Sequence, residues 1–245
     1  MFDYIILGTL QGIFEWIPIS SEGAVALTSE FLNKDLDSID IALFLHLGTV
    51  LAVLIYFRKD WRAVLSLRNP KLFRFLVIAT IVSLIVGYPL YRLVKGALAG
   101  NALLIITGLG LLLTAYFQKK EKKLDMGFNK LAVLSGFLQG LAVIPGLSRS
   151  GATIFGLSLG KNSPSEILKT SYMMSAPVVL VLSFYLFLED PSLVFESSPA
   201  LIFSFLVGLC SLHFLIELTG RINFFRFALF FGLLCLLGAA LGLLA

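Results

Sequence analysis

The chain is short of charge. Asp, Glu, Lys and Arg make up 14% of its 245 residues, against about 25% in a soluble globular protein. That is too little to coat a water-facing surface, which excludes a soluble enzyme and a nucleic-acid-binding domain. The net charge of +4 is therefore a question of where the cations lie, not a sign of a polyanionic partner. Cysteine is also scarce. Cys210 and Cys235 lie in apolar runs without metal-ligand spacing, so a disulfide scaffold is excluded and both read as packed or lipid-embedded thiols. Histidine occurs twice. His46, on an apolar stretch, reads as a packing residue; His213, with Glu217 four residues on, reads as a helix–helix hydrogen-bonding position. The opening Met1-Phe2-Asp3 has no positive n-region, so no cleaved signal peptide is expected and the first apolar stretch is expected to remain.

What the chain has in excess is apolar surface. Hydrophobic residues reach 58%, with 22 phenylalanines, and mean hydropathy is +0.94. This is the composition of an all-α polytopic membrane protein. The phenylalanines read as lipid-facing or packing positions. A bilayer core needs roughly 20 apolar residues per helix, and six stretches reach about that length: 39–57, 72–91, 101–117, 167–188, 200–219 and 224–244. Two more do not fit the pattern. Residues 4–19 carry Gln11, Glu15 and Pro18, and residues 131–147 carry Gln139 and Pro145. Each is followed by a polar Ser/Gly turn and an apolar arm too short to span, 24–32 and 151–160. Apolar pieces broken in this way are expected to be re-entrant helical hairpins.

Basic residues set the orientation. Segment 57–74 holds Arg58, Lys59, Arg62, Arg68, Lys71 and Arg74 against Asp60 alone; segment 117–130 holds five lysines; 219–226 holds Arg221 and Arg226. Segments 188–199 and 20–38 are acidic, with Lys34 the only cation. The positive-inside rule puts the first three in the cytoplasm, as solvated topogenic loops, and the last two outside; Arg92 and Lys95 are then outer exceptions. With these sides fixed, the hairpin at 4–32 enters from outside and the hairpin at 131–160 from the cytoplasm.

The two hairpins also resemble each other. Leu10–Ala24 reads LQGIFEWIPISSEGA and Leu138–Ala152 reads LQGLAVIPGLSRSGA; residue 11 matches 139, 20 matches 148 and 23 matches 151, an offset of 128. Each copy is followed by three spans. The expected architecture is one domain over 1–245 made of an inverted-topology repeat: unit one at 1–120, with hairpin 4–32, and unit two at 129–245, with hairpin 131–160. Inverted repeats with broken helices place their site where the breaks meet.

Those breaks carry polar chemistry. Gln11 and Glu15, four apart, share a helical face, and a carboxylate in a membrane segment faces a cavity or a partner. Arg149 in the other break is a partner for an anion or for Glu15. Ser148, Ser150 and Thr153 surround it, with Ser20, Ser21 and Glu22 opposite. Helix N-termini, hydroxyls and a forked guanidinium make a cradle for phosphate. Glu15 then either holds a divalent cation or acts as a base, and a serine attacks phosphorus.

The segments Gln11-Gly12-Ile13-Phe14-Glu15, on through Pro18 to Ser20-Ser21, and Pro145-Gly146-Leu147-Ser148-Arg149-Ser150-Gly151-Ala152-Thr153 resemble the signature motifs of the undecaprenyl-diphosphate phosphatase family, the bacitracin-resistance type of integral-membrane phosphatase in cell-envelope biogenesis. The resemblance runs over essentially the whole chain. It implies six transmembrane helices with two re-entrant hairpins, a site opening to the outer face of the cell membrane, and hydrolysis of a polyprenyl diphosphate to the monophosphate carrier and inorganic phosphate with a divalent cation, Mg or Ca. It assigns Glu15 to metal or base duty, Ser21 to nucleophile or phosphate contact, and Arg149 to phosphate binding. Gln11, Ser20, Glu22, Gly146, Ser148, Ser150 and Thr153 fall on the substrate-binding side of the match. Two departures stand out: glutamine at 11 where many members have a carboxylate, and Ser20-Ser21-Glu22-Gly23-Ala24 where the family commonly reads Ser-Ser-Thr-Gly-His. The missing histidine points to a divergent, archaeal-type branch with an undecaprenyl- or dolichyl-type substrate. The competing expectation is a transporter or flippase that moves a polyprenyl phosphate lipid without hydrolysis. Oligomeric state is not legible, because apolar helix faces serve lipid and partner alike.

Overall fold

The protein was analysed as a computed structural model, which describes residues 2–17, 20–32, 38–94, 100–119, 126–160, 163–218 and 224–244. Pro18, Lys34, Lys95, Lys120, Lys122, Lys123 and Arg221 lie outside the described residues. Among the described residues the secondary structure is helical throughout: α1 (Phe2–Phe14), α2 (Ser21–Leu32), α3 (Ser38–Tyr56), α4 (Arg58–Leu65), α5 (Pro70–Val94), α6 (Gly100–Lys119), α7 (Phe128–Leu141), α8 (Arg149–Ser158), α9 (Pro164–Glu189), α10 (Pro191–Glu196), α11 (Ser198–Leu218) and α12 (Phe224–Leu244). The long helices begin on recognisable chemistry. Ser163 caps α9 in a reciprocal box with Glu166, and Pro164 supplies the fixed φ of the first turn. Asn69 Oδ1 accepts the Leu72 N–H at 3.1 Å at the start of α5, followed by Pro70.

Among the described residues three helices are long and apolar enough to cross a membrane: Ile39–Tyr56, Pro70–Val94 and Ser165–Glu189. Helices α6, α11 and α12 run to 20, 21 and 21 residues. Their described apolar stretches are shorter, Leu104–Tyr116, Ser198–Phe214 and Leu229–Ala240. Ile81, Ile85, Phe184, Leu188, Phe214 and Leu237 turn outward, in keeping with a membrane protein. Both cysteines are free thiols.

One segment departs from the expected loop. Within the basic stretch 57–74 the chain forms α4, which is amphipathic: Val64 is buried while Arg58, Lys59 and Arg62 stay toward solvent. Its Asp60 Oδ1 takes a 2.9 Å bond from Lys169 Nζ near the start of α9, so that end of α3, all of α4 and the beginning of α9 lie together.

The helix pairings fall into a pattern. α1 packs on α11 and α7 on α5, while α3 pairs with α9, and α6 with α12. Exchanging α1 with α7, α3 with α9, α5 with α11 and α6 with α12 leaves this set unchanged. Between helices in hydrocarbon there is no hydrophobic drive to association, so tight approach and interhelical hydrogen bonds hold them. Gly8 and Gly12 let α1 touch the α11 backbone near Ala200 and Gly208; Gly136 and Gly140 do the same for α7 against Ala79 and Gly87 of α5. Hydroxyls fasten both seams. Ser211 Oγ donates to Gly12 O at 2.6 Å, and Ser83 Oγ donates to Gly136 O at 2.9 Å. Gln139, matched to Gln11 in sequence, braces this second seam, donating to Ser83 Oγ and Met174 O at 3.1 and 3.2 Å.

A methyl on Gly136 would lie 2.5 Å from Ala79 O and 2.9 Å from its Cα, backbone atoms that cannot swing aside. Gly136→Ala is therefore expected to lower stability by about 1–3 kcal/mol. Gly127→Ala, whose methyl meets nothing within 4 Å, is expected to stay within ~0.5 kcal/mol. Thermal unfolding of the two variants in detergent measures the contrast.

Candidate active site

Two interruptions of helical structure face one another, one between α1 and α2 and the other between α7 and α8. Each resumes on a serine. Ser20 Oγ accepts the Gly23 N–H at 2.9 Å, and Ser148 Oγ accepts the Gly151 N–H at 3.1 Å, each satisfying one of the orphan donors of a helix start. The breaks also bond to each other. Gly146 N–H donates to the same Ser20 Oγ at 3.0 Å, and Ser150 Oγ donates to Ile17 O at 3.1 Å. Gly146 has φ +89°, and a Cβ there would run into the Thr107 backbone; both conditions require glycine. Thr114 of α6 fixes the second break from behind. Its Oγ1 accepts the Ser148 N–H at 3.0 Å and donates to Gly146 O at 3.3 Å.

At the centre lies Glu15, 4% exposed. Its Oε1 pairs with Arg149 Nη2 across the two breaks. Its Oε2 accepts from Gln11 Nε2 at 2.8 Å, one helical turn back, and from Ser21 Oγ at 2.9 Å. The Nε2 of His46 stands 3.2 Å from the same oxygen, and its Nδ1 is 2.8 Å from Ala42 O. Arg149 Nη1 further donates to Ser171 O at 3.4 Å. Tyr172 OH donates to Trp16 O at 3.0 Å, with the two rings edge to face at 5.3 Å, and so ties α9 to the end of the first break. Glu22 is buried as well, and its Oε1 has no hydrogen-bond partner.

Two cavities meet at this point. A small one of about 10 Å³ is bounded by Glu15, Ser21, Glu22, Ser148, Arg149 and Ser150, among others, room for about one water. The first turns of α2 and α8 both border it, so two positive helix ends converge there. A larger cavity of about 470 Å³ runs from Glu22, His46 and Arg149 between α5 and α9 to Tyr88, Tyr91 and Tyr185. Apart from the polar junction, Ser83 and Gln139, its wall is made of leucine, valine, isoleucine, alanine, glycine and tyrosine; no phenylalanine lines it.

Most residues singled out in the sequence therefore come together: Gln11, Glu15, Ser20, Ser21, Glu22, Ser148, Arg149 and Ser150 around one point, with Gly146 contributing backbone. Thr153 lies one turn along α8, where its hydroxyl meets Ser171 Oγ at 2.6 Å and Arg149 O at 2.8 Å, bracing α8 against α9 rather than bordering the small cavity. His46 differs from expectation. It is a partner of Glu15 and part of the wall of both cavities, not a packing residue. His213 lies against the Tyr56 ring, centroids 6.5 Å apart, and borders neither cavity; the side chain of Glu217 falls outside the described residues.

The sequence model described as bacitracin resistance protein BacA matches residues 4–238. The chain belongs to this family. Among its relatives, a protein of Haloarcula marismortui named undecaprenyl-diphosphatase is 35% identical, the match covering 97% of this chain and 96% of that protein. One of the same name from Methanococcoides burtonii is 33% identical over 96% of this chain and 97% of its own length. Another, from Desulforudis audaxviator, is 32% identical over 94% and 93%. Archaeal relatives thus stand beside a bacterial one.

Ser20 Oγ is the acceptor shared by both breaks. Ser20→Ala is expected to cost about 1–3 kcal/mol through the lost cap and the orphaned Gly146 N–H. Ser66→Ala, which loses one exposed 3.5 Å contact, is expected to stay within ~0.5 kcal/mol. Denaturant titration of both variants in detergent tests the difference.

Proposed function

We propose that this protein is an integral-membrane phosphatase that hydrolyses a polyprenyl diphosphate, of undecaprenyl or dolichyl type, to the polyprenyl monophosphate and inorganic phosphate. The observation that carries the reading is the junction itself. A cation and two helix N-termini surround a polar pocket that shares Glu22, His46 and Arg149 with an apolar cavity, which matches a ligand with an anionic head and a hydrocarbon tail. The relatives named undecaprenyl-diphosphatase support the same substrate class.

The terminal phosphoryl group enters between the two breaks. The small cavity is too tight for it while Arg149 is paired with Glu15, so entry exchanges Arg149 from the carboxylate to phosphate, whose oxygens the guanidinium fork accommodates in pairs. The backbone N–H groups opening α2 and α8 and the hydroxyls of Ser148 and Ser150 complete the cradle. Ser21 already donates its hydroxyl hydrogen to Glu15, the arrangement of a nucleophile and its base. Glu15 removes a proton either from Ser21 or from a water, the nucleophile oxygen attacks the terminal phosphorus, and the bond to the bridging oxygen breaks. Prenyl monophosphate leaves through the apolar cavity. If a phosphoserine forms, water cleaves it in a second step.

A divalent cation, Mg or Ca, would supply charge neutralisation on the phosphoryl oxygens. The residues present do not make a site for one by themselves. Among the described residues no group of three His, Cys, Asp or Glu side chains is placed to hold a metal ion, and both Glu15 oxygens are taken by Arg149, Gln11, Ser21 and His46. No step above runs through a cation.

The topology belongs to the same proposal. Six spans, two re-entrant hairpins and two inverted units, 1–120 and 129–245, are supported by the exchange pattern of the helix pairings and by the shared serine caps. With segments 57–74 and 117–130 cytoplasmic, the ends of α5 and α9 that carry Tyr88, Tyr91 and Tyr185 point outward, so the apolar cavity opens toward the outer leaflet of the cell membrane.

Phosphate release from C15 and C55 prenyl diphosphates by the purified protein, with and without divalent cation, is the test. Arg149→Ala and Glu15→Ala are each expected to lower kcat/KM by roughly 10²-fold or more. Equal release by all three proteins sinks the site. A wild type that translocates labelled polyprenyl phosphate in vesicles without releasing phosphate makes it a flippase instead.

A further inference from the structure

A prenyl diphosphate has two phosphoryl groups, and the cradle described above receives one. Glu22, His46 and Arg149 border both cavities and so mark where a headgroup in the first meets a tail in the second. With the terminal phosphoryl group between the breaks and the tail between α5 and α9, the inner group, the one esterified to the prenyl alcohol, lies at this junction. An anion removed from water there requires a donor or cation. Glu22 supplies no cation and Arg149 is engaged by the terminal group. His46 is left.

Its placement suits the task. The residue is 6% exposed, and Ala42 O at 2.8 Å from Nδ1 fixes the ring against its own helix, which aims Nε2 at the junction, 3.2 Å from Glu15. Each ring nitrogen faces an oxygen atom, Ala42 O on one side and Glu15 Oε2 on the other. The titratable and charged groups facing it are Glu15 from the break after α1, Glu22 from α2 and Arg149 from α8. Nothing else bordering the two cavities offers a mobile donor of that kind; the tyrosines stand at the far end of the larger one.

We propose, on the phosphatase reading above, that His46 binds the inner phosphoryl group and thereby selects a diphosphate lipid over inorganic phosphate. A residue that only propped Glu15 would affect both ligands alike, because Glu15 competes with either for Arg149.

The experiment is calorimetric binding of two probes to the purified protein in detergent: farnesyl methylenediphosphonate, which resists hydrolysis, and inorganic phosphate. His46→Gln keeps a hydrogen-bond donor but no charge. It is expected to weaken the diphosphonate lipid roughly 10- to 100-fold, the worth of one charge-assisted hydrogen bond, and to leave inorganic phosphate within about twofold. Unchanged binding of both probes overturns the assignment. If both probes are lost, His46→Lys decides: recovery of the diphosphonate upholds the assignment, and no recovery overturns it. Binding requires no turnover, so a wild type that binds the diphosphonate yet releases no phosphate from farnesyl diphosphate ends the phosphatase reading while His46 is still judged on affinity.

Discussion

The pairing of Glu15 with Arg149 is the contact on which the rest of the architecture turns. A carboxylate and a guanidinium inside a membrane protein each cost several kcal/mol to desolvate, and removing one partner leaves the other uncompensated, typically at about 3–5 kcal/mol. Neither charge can remain in its own hairpin. The two breaks must therefore meet, and the hydrogen bonds from Gly146 N–H to Ser20 and from Ser150 to Ile17 O follow from that meeting. The pair holds the two breaks together, and in the proposed reaction it is also the interaction that a phosphoryl group replaces. Fold and proposed chemistry thus share one free-energy term. A cradle built without Glu15 would have to hold Arg149 unpaired and buried between turnovers.

Close packing makes that contact possible. Helices in lipid gain little by hiding apolar surface from one another, so how closely two of them pack is set by how near the backbones can come. Gly8 and Gly12 seat α1 against α11, Gly136 and Gly140 seat α7 against α5, and serine hydroxyls lock both seams. Polar chemistry is thereby carried on short, interrupted helices, while long ones on either side hold their ends in register. Ser20 and Ser148, the capping residues of the two breaks, are themselves buried.

Much of this was legible in the sequence, for reasons of local physics. Six apolar stretches correspond to α3, α5, α6, α9, α11 and α12 to within a few residues at each end, because hydropathy over about 20 residues is a strong signal. The breaks were legible because proline, glycine and serine interrupt a helix whatever surrounds them. Two features were not. Helix α4 is hidden in a run of cations whose composition reads as loop, and only its buried Val64 and the Asp60–Lys169 contact give it a face. On its own helix His46 has only Thr49 as a polar neighbour on the same face, and that hydroxyl bonds the His46 carbonyl, not the ring. Its meaning comes from Glu15, 31 positions earlier, and the contact exists only once α1 and α3 are packed. The nearest available signal was scarcity, one of two histidines falling mid-span.

The matched positions show how two similar hairpins came to divide the work. Ser20 and Ser148 keep the same task as caps. The next residue differs, Ser21 in one copy and Arg149 in the other, yet both reach Glu15, one on each carboxylate oxygen. The position of Glu15 itself is Val143 in the second copy, and Val143 lines the apolar cavity. His46 corresponds at the same offset to Met174, whose carbonyl merely anchors Gln139. Identity was retained at the capping serines and at Gln11 and Gln139, and lost at the positions of Glu15, Ser21 and His46. A symmetric pair would have placed two carboxylates, or two guanidiniums, face to face in low dielectric. The asymmetry makes one side of the junction polar and the other greasy, which is the distribution a molecule with a diphosphate head and a hydrocarbon tail demands.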